Sequence, residues 1–196
     1  MLKVGLTGGI ATGKSYVLGQ FRGRGVPCLD ADELAHGVTA AGTEATAAIA
    51  ARFGDGILAA DGSVDRQKLG PIVFADATAR RELEAIVHPA VHRAIAMGLR
   101  AFEMMGDTRA IVDVPLLFET GSEKTFDKVI VTACAPETQL ARLIERGLTE
   151  DAARQRLAAQ WTTERKTSRA DFVITTDGSF ADTDDQVARV VERLKG

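Results

Sequence analysis

A chain of 196 residues, 45% hydrophobic and 26% charged, is long enough for one substantial core with small appended subdomains and too short for two full-sized domains. Its formal net charge of −3 provides no bulk attraction to nucleic acid or to an anionic membrane, so neither is an expected partner. No apolar run approaches the ~20 residues needed to cross a bilayer, and a strand pattern begins at once, which makes a cytoplasmic location the expectation.

The apolar segment Leu2–Thr7 predicts a strand, and it runs directly into Gly8-Gly9-Ile10-Ala11-Thr12-Gly13-Lys14-Ser15. This is a complete G-x-x-x-x-G-K-S phosphate loop, with a predicted helix behind it from Ser15 to Gly23. Glycines let the backbone approach anionic oxygens, and the opening helix aims unpaired N–H groups and its positive dipole end at them. Lys14 adds a charge able to reach the β- and γ-phosphates, and Ser15 offers a hydroxyl to Mg²⁺. Taken as a mere flexible turn, the run would not need a strand before it and a helix after it; both are present.

The second strand is expected at Val26–Asp30 and ends in Asp30-Ala31-Asp32. A long insertion from Glu33 to Gly106 follows and is predicted to be almost entirely helical, with turns at Gly42, Gly54, Asp61-Gly62 and His88-Pro89. It is where a substrate-binding subdomain would sit. Arg109–Val114 and Lys128–Ala133 are the next strands. Pro136 then opens a helix with Leu140, Leu143 and Ile144 on one face and Arg142 and Arg146 one turn apart elsewhere. Thr149 is placed to cap a helix running to Gln160, and Asp171–Thr175 forms the last strand. Strands alternating with helices predict an α/β fold with a parallel five-stranded sheet covered on both faces. Cys28 and Cys134 are in no metal spacing and are expected to be reduced in apolar strands.

Ligands of parallel sheets bind outside the strand C-termini, and here those ends carry acids. Asp30 and Asp32 follow the second strand, and Asp113 ends the third ahead of Val114-Pro115-Leu116-Leu117-Phe118-Glu119. A carboxylate there can take a proton from an attacking hydroxyl or hold Mg²⁺, directly or through water. For Asp30 and Asp32 the competing role is helix capping ahead of Leu34 and Ala35. Ile111 and Val112 before Asp113 resemble a Walker B strand, a weak signal by itself.

Taken together, the chain resembles the dephospho-CoA kinases, within the nucleoside-monophosphate-kinase-like P-loop group. The resemblance runs nearly end to end. Its marks are Leu6-Thr7-Gly8-Gly9-Ile10 leading into Gly13-Lys14-Ser15, then Asp30-Ala31-Asp32, Val87-His88-Pro89, Val114 to Glu119, Pro136-Glu137-Thr138-Gln139-Leu140 with Arg142, Gln160, and Lys166 before Ala170-Asp171-Phe172. It implies a three-layer core (about 1–32, 107–138 and 168–196), a helical substrate-binding subdomain (about 33–106) and a small helical lid (about 139–167). The implied reaction is ATP-dependent phosphorylation of the ribose 3′-hydroxyl of dephospho-CoA, with Mg²⁺ on Ser15 and Asp32 or Asp113 acting on it through water. The family's base falls on Asp32 and its lid arginine on Arg142, with Arg146 as a helper; Lys14 is the remaining catalytic group. Similarity assigns the helical insertion and Pro115, Leu116, Leu117 and Phe118 to the acceptor pocket, with His88 near its mouth. A monomer or weak homo-oligomer is expected. The Arg-bearing lid helix shows few apolar anchors and is expected to be mobile until nucleotide binds.

Departures from the family pattern are local. The lid turn around Arg146-Gly147-Leu148 is one residue shorter than usual, and Thr175-Thr176-Asp177-Gly178 replaces the Asn common after the last strand. His88 and His92 have the i, i+4 spacing of a zinc helix, but Pro89 stands where a Glu is required and no third ligand is evident. Trp161 is placed to flank a nucleotide or, more commonly for a lone aromatic near a helix end, to pack. Two other readings compete: a P-loop kinase for another small hydroxyl or nucleotide, and an idle ATP-binding module. A GTPase would need an Asn-Lys-x-Asp motif, and the chain has no asparagine.

Overall fold

The computed structural model describes residues 1–195. In chain order the elements are β1 (Leu2–Gly8), α1 (Lys14–Gly23), β2 (Cys28–Asp30), α2 (Ala31–Val38), α3 (Glu44–Phe53), α4 (Arg66–Ala75), α5 (Ala77–Met104), β3 (Arg109–Asp113), β4 (Lys128–Ala133), α6 (Pro136–Glu145), α7 (Glu150–Ala158), α8 (Thr163–Thr167), β5 (Phe172–Thr175) and α9 (Phe180–Arg193). The chain divides into two compact units, one from residues 1–29 and 102 onward, the other from residues 30–101.

The first unit is built on the parallel sheet, in the order β2-β3-β1-β4-β5. β1 lies in the middle, registered with β3 (Leu6 opposite Asp113) and with β4 (Gly8 opposite Thr132). Alternation sends Val4 and Leu6 to one face, where Ile111, Ile130 and Ile174 join them under Val17 and Phe21 of α1 and Val187, Val190 and Val191 of α9. Gly5 points to the other face, where a Cβ would come within 3.2 Å of Leu117 and Phe126. On that side Leu117, Phe118, Val129 and Val131 make a second core, with Trp161 against it. Three layers result, as the strand–helix alternation predicts. β2 is shorter than expected because Pro27 has no N–H to give a ladder; only its carbonyl is used, accepting from Ile111 N–H at 2.9 Å.

The second unit is helical around Ile49, Ile57, Val64 and Leu69, with Phe53, Val73, Leu83 and Val87 packed on them. Gly42, Gly54 and Gly62 turn the chain with φ of 77°, 84° and 84°. The turn expected at His88-Pro89 is absent: α5 runs straight through Pro89. Proline there removes one helical hydrogen bond, from residue 89 to the Ala85 carbonyl. Both residues lie on the exposed side of α5, where water can satisfy that carbonyl, and Ala90, Val91 and Leu99 beyond it are buried.

Candidate active site

The phosphate loop joins β1 to α1, at the C-terminal edge of the central strand. Its shape depends on two glycines. A Cβ on Gly8 would lie 2.0 Å from Thr132 Oγ1, and Gly13 turns at φ 80° to open α1. Ala11 also has positive φ, 62°, a conformation costing a non-glycine residue about 1 kcal/mol. Thr12 is buried and ties the loop inward: its hydroxyl donates to Gly9 C=O at 2.8 Å and meets Thr132 Oγ1 at 2.7 Å.

Two glutamines grip the loop from outside. Ile10 N–H donates to Gln160 Oε1 at 2.9 Å, and Gln139 Nε2 donates to the Ile10 carbonyl at 2.6 Å. The Ile10 amide, expected to face phosphate, is therefore engaged. The amides of Ala11, Gly13, Lys14 and Ser15 carry no hydrogen bond among the described residues, and they are the donors open to an anion. Lys14 Nζ is paired with Asp113, which lies almost fully buried at the end of β3. Ser15, one residue into α1, is exposed.

Arg142 does not point into solvent. Its Nη1 donates to the Ala11 carbonyl (3.1 Å) and to Thr176 Oγ1 (3.0 Å), and its Nη2 donates to the Thr176 carbonyl (2.6 Å). Thr176 Oγ1 in turn donates to Thr12 C=O at 2.9 Å. The segment in the family's Asn position thus braces the loop through Arg142. Arg146, one turn on, is exposed, and its side chain has no hydrogen bond or ion pair among the described residues. The expected scarcity of apolar anchors is not observed: Leu143 and Ala153 are buried against Ala11, with Ile10, Leu140, Leu148 and Leu157 around them. The bracing roles of Gln139, Thr176 and Thr132 have no sequence signal, because nothing in a helix or strand pattern pairs them with residues more than a hundred positions away.

After β3, Pro115 and Leu116 keep accessible surface, Leu116 42% of it, but Leu117 and Phe118 are 0% and 4% exposed. Leu117 and Phe118, expected in an acceptor pocket, pack on Val129 and Val131 as core residues. Trp161 packs as well, parallel to Phe118 at 6.0 Å with the Arg165 guanidinium 3.3 Å from its centroid. The end of this segment is pinned by Glu119, whose Oε1 accepts from the wholly buried Lys166 (2.9 Å) and from Trp161 N–H (3.1 Å). Burial raises the Glu119 pKa, but Lys166 and the Trp161 amide outweigh it and hold the carboxyl below the ordinary glutamate range.

In the helical unit, Asp30 at the end of β2 and Asp32 just beyond it separate in role. Asp30 is the cap of α2, accepting from Asp32 N–H (2.8 Å) and Glu33 N–H (3.2 Å). Asp32, in the first turn, is exposed, and among the described residues its carboxylate takes no hydrogen bond or ion pair. Ala35 and Thr39, on the same α2 face at i+3 and i+7, line a cavity of about 270 Å³ together with Arg66, Leu69, Val87 and His88. His88 and His92 rings are 6.5 Å apart, and among the described residues no three metal-ligating side chains gather. A broader groove at the opposite strand ends, beside Arg109 and Phe172, contains none of these residues.

The dephospho-CoA kinase family pattern matches residues 2–182. The chain belongs to the dephospho-CoA kinase family. A dephospho-CoA kinase of Geobacillus kaustophilus is 44% identical over 193 residues, 98% of this chain and 96% of that protein. Among solved structures, TT1252 from Thermus thermophilus superposes with a TM-score of 0.84 at 32% identity, covering 100% of this chain and 98% of that one. A dephospho-CoA kinase from Campylobacter jejuni superposes at 0.76 with 29% identity, over 98% and 96%. Within a dephospho-CoA kinase framework, the open loop amides and Lys14 suit a triphosphate. The Ser15 hydroxyl and Asp113 carboxylate are hard oxygen donors of the type Mg²⁺ takes.

Proposed function

We propose that this chain transfers the γ-phosphoryl group of ATP to the 3′-hydroxyl of dephospho-CoA, giving coenzyme A and ADP. The observation that carries the mechanism is the division of labour at the start of α2: Asp30 supplies the cap, which leaves the Asp32 carboxylate available as a base.

The amides of Ala11, Gly13, Lys14 and Ser15 hold the donor phosphates, with Lys14 leaving Asp113 to meet the β- and γ-oxygens. Ser15 and Asp113 would hold Mg²⁺, which would supply charge neutralisation on those oxygens. Asp32 accepts the proton of the attacking hydroxyl as the oxygen–phosphorus bond forms. Arg142 keeps a fixed cation beside Ala11, and the unpartnered Arg146 is the group free to move onto the transferring phosphoryl. Phosphoryl transfer depends on in-line placement and surrounding cations more than on covalent help. The cavity beside Ala35, Thr39 and His88 takes part of the acceptor. The site belongs to a small-molecule kinase working in the cytoplasm.

The test is ADP formation from ATP with dephospho-CoA, against a panel of nucleoside monophosphates and sugars, with and without Mg²⁺ and with product mass measured. Coenzyme A formed only from dephospho-CoA supports the reading. Preference for another acceptor overturns it while leaving the phosphate site intact.

A further inference from the structure

Position 9 of this chain is one the phosphate-loop motif leaves open to any residue, yet it holds glycine. The reason is a side chain 130 positions away. A Cβ on Gly9 would lie 2.7 Å from Gln139 Nε2, while its next neighbours, Thr12 Cγ2 and Thr163 Oγ1, would be at ordinary distances of 3.4 and 3.5 Å. Gln139 is 6% exposed and its orientation is set from both ends, since Oε1 accepts from Thr163 Oγ1 at 3.1 Å while Nε2 donates to the Ile10 carbonyl.

The two peptide planes on either side of Ile10 are consequently both fixed. In a trans peptide the carbonyl and the N–H point in opposite directions. Gln160 holds the Ile10 N–H, so the Gly9 carbonyl of the same plane turns inward, where Thr12 N–H (3.3 Å) and Thr12 Oγ1 (2.8 Å) donate to it. Gln139 holds the Ile10 carbonyl, so the Ala11 N–H of the next plane is turned the other way, and it carries no protein partner among the described residues.

We propose that Gln139 and Gln160 are positioning residues that preset the Ala11 N–H as a phosphate donor, a role resting on the ATP-dependent reading above. They bracket the segment carrying Arg142 and Arg146, one before it and one after it, so both ends of that segment grip the same residue of the loop. A loop held this way does not spend binding energy on choosing the Ala11 orientation.

The experiment measures the affinity of a non-hydrolysable ATP analogue by calorimetry, alongside KM for dephospho-CoA and the thermal unfolding midpoint. Gln160→Met, at a half-buried position, and Gln139→Met keep chain length and remove the hydrogen bonds. Each is expected to weaken the analogue about tenfold, the scale of one lost hydrogen bond, with KM for dephospho-CoA within about twofold of the parent. Gly9→Ala should weaken it at least as much, and the Gly9→Ala/Gln139→Ala double variant should bind within about twofold of Gln139→Ala alone, because shortening residue 139 makes room for the new methyl. Wild-type affinity in Gln160→Met, or full addition of the Gly9→Ala and Gln139→Ala penalties, overturns the proposal. Analogue affinity does not depend on the acceptor, so failure of the acceptor assignment shows separately, as no turnover with dephospho-CoA.

Discussion

Arg142 and Thr176 are joined twice, Nη1 to the Thr176 hydroxyl at 3.0 Å and Nη2 to its carbonyl at 2.6 Å, while Nη1 also reaches the Ala11 carbonyl at 3.1 Å. The planar fork of arginine can span the two segments at once; a lysine ammonium, a single point on a flexible stem, cannot do so in the same geometry. Arg142→Ala is therefore expected to lower kcat/KM for ATP about a hundredfold, and Arg142→Lys to recover less than about threefold of that. A lysine variant near wild-type activity would show that charge alone is needed there. Steady-state kinetics with varied ATP decides it.

At the start of α2 the two acids should fail differently. Asp32→Asn is expected to cut kcat by about a thousandfold, within the range of a lost general base, with ATP affinity unchanged. Asp30→Ala removes the cap and should cost about 1 kcal/mol of stability. Urea unfolding and single-turnover assays on both variants separate the two effects. Normal kcat in Asp32→Asn would make Asp32 a surface residue.

The Glu119–Lys166 pair should contribute to the acid limb of stability. Unfolded glutamate titrates near pH ~4.3, and in the folded chain Lys166 and the Trp161 amide overcome burial to keep Glu119 lower. As pH falls, the unfolded chain takes up its proton first. The stabilisation is complete above about pH 5 and is lost as pH drops through the folded value. Glu119→Gln should flatten that slope and, by leaving Lys166 buried without its counter-charge, cost about 3 kcal/mol. Adding Lys166→Met should restore a good part of it. Urea titrations between about pH 3.5 and 6 supply both quantities.

Both thiols should be unreactive in the native state. Burial pushes Cys28 up to about 12 against a smaller lowering by Arg22, and burial raises Cys134 as well. At pH 8 the reactive thiolate of Cys28 is scarce, so modification by a disulfide reagent should be about a thousandfold slower than for a free cysteine near pKa ~8.5. Both should react at once in denaturant. Rapid native labelling of either would contradict the burial.

Much of this architecture is written locally. A short consecutive apolar run places β4 at Lys128–Ala133 as expected, Pro136 and Thr149 open α6 and α7, and the loop motif identifies its own strand and helix. What escaped was set by neighbours distant in sequence. Leu117 and Phe118 follow an accessible Pro-Leu pair and nothing in their spacing shows that Val129 and Val131 cover them. Pro89 carries the local signal of a break, but α5 continues because the unpaired carbonyl faces water and the residues beyond are buried. Arg142 has the composition of a solvated helix face, and only the chain's return at Thr176 provides its partners.

The central place of β1 has a consequence for how the molecule is made. This strand is made before both of its partners, residues 109–113 and 128–132, so at ~5–20 residues per second it waits about 6–25 s for the second flank. The helical unit's apolar cluster, by contrast, has its last member at Val87 and is the first region whose contacts are all synthesised. The phosphate loop gains the second strand that flanks its own only late in translation, when β4 arrives, and a chain stalled before that point carries a full phosphate-loop sequence without the sheet that shapes it.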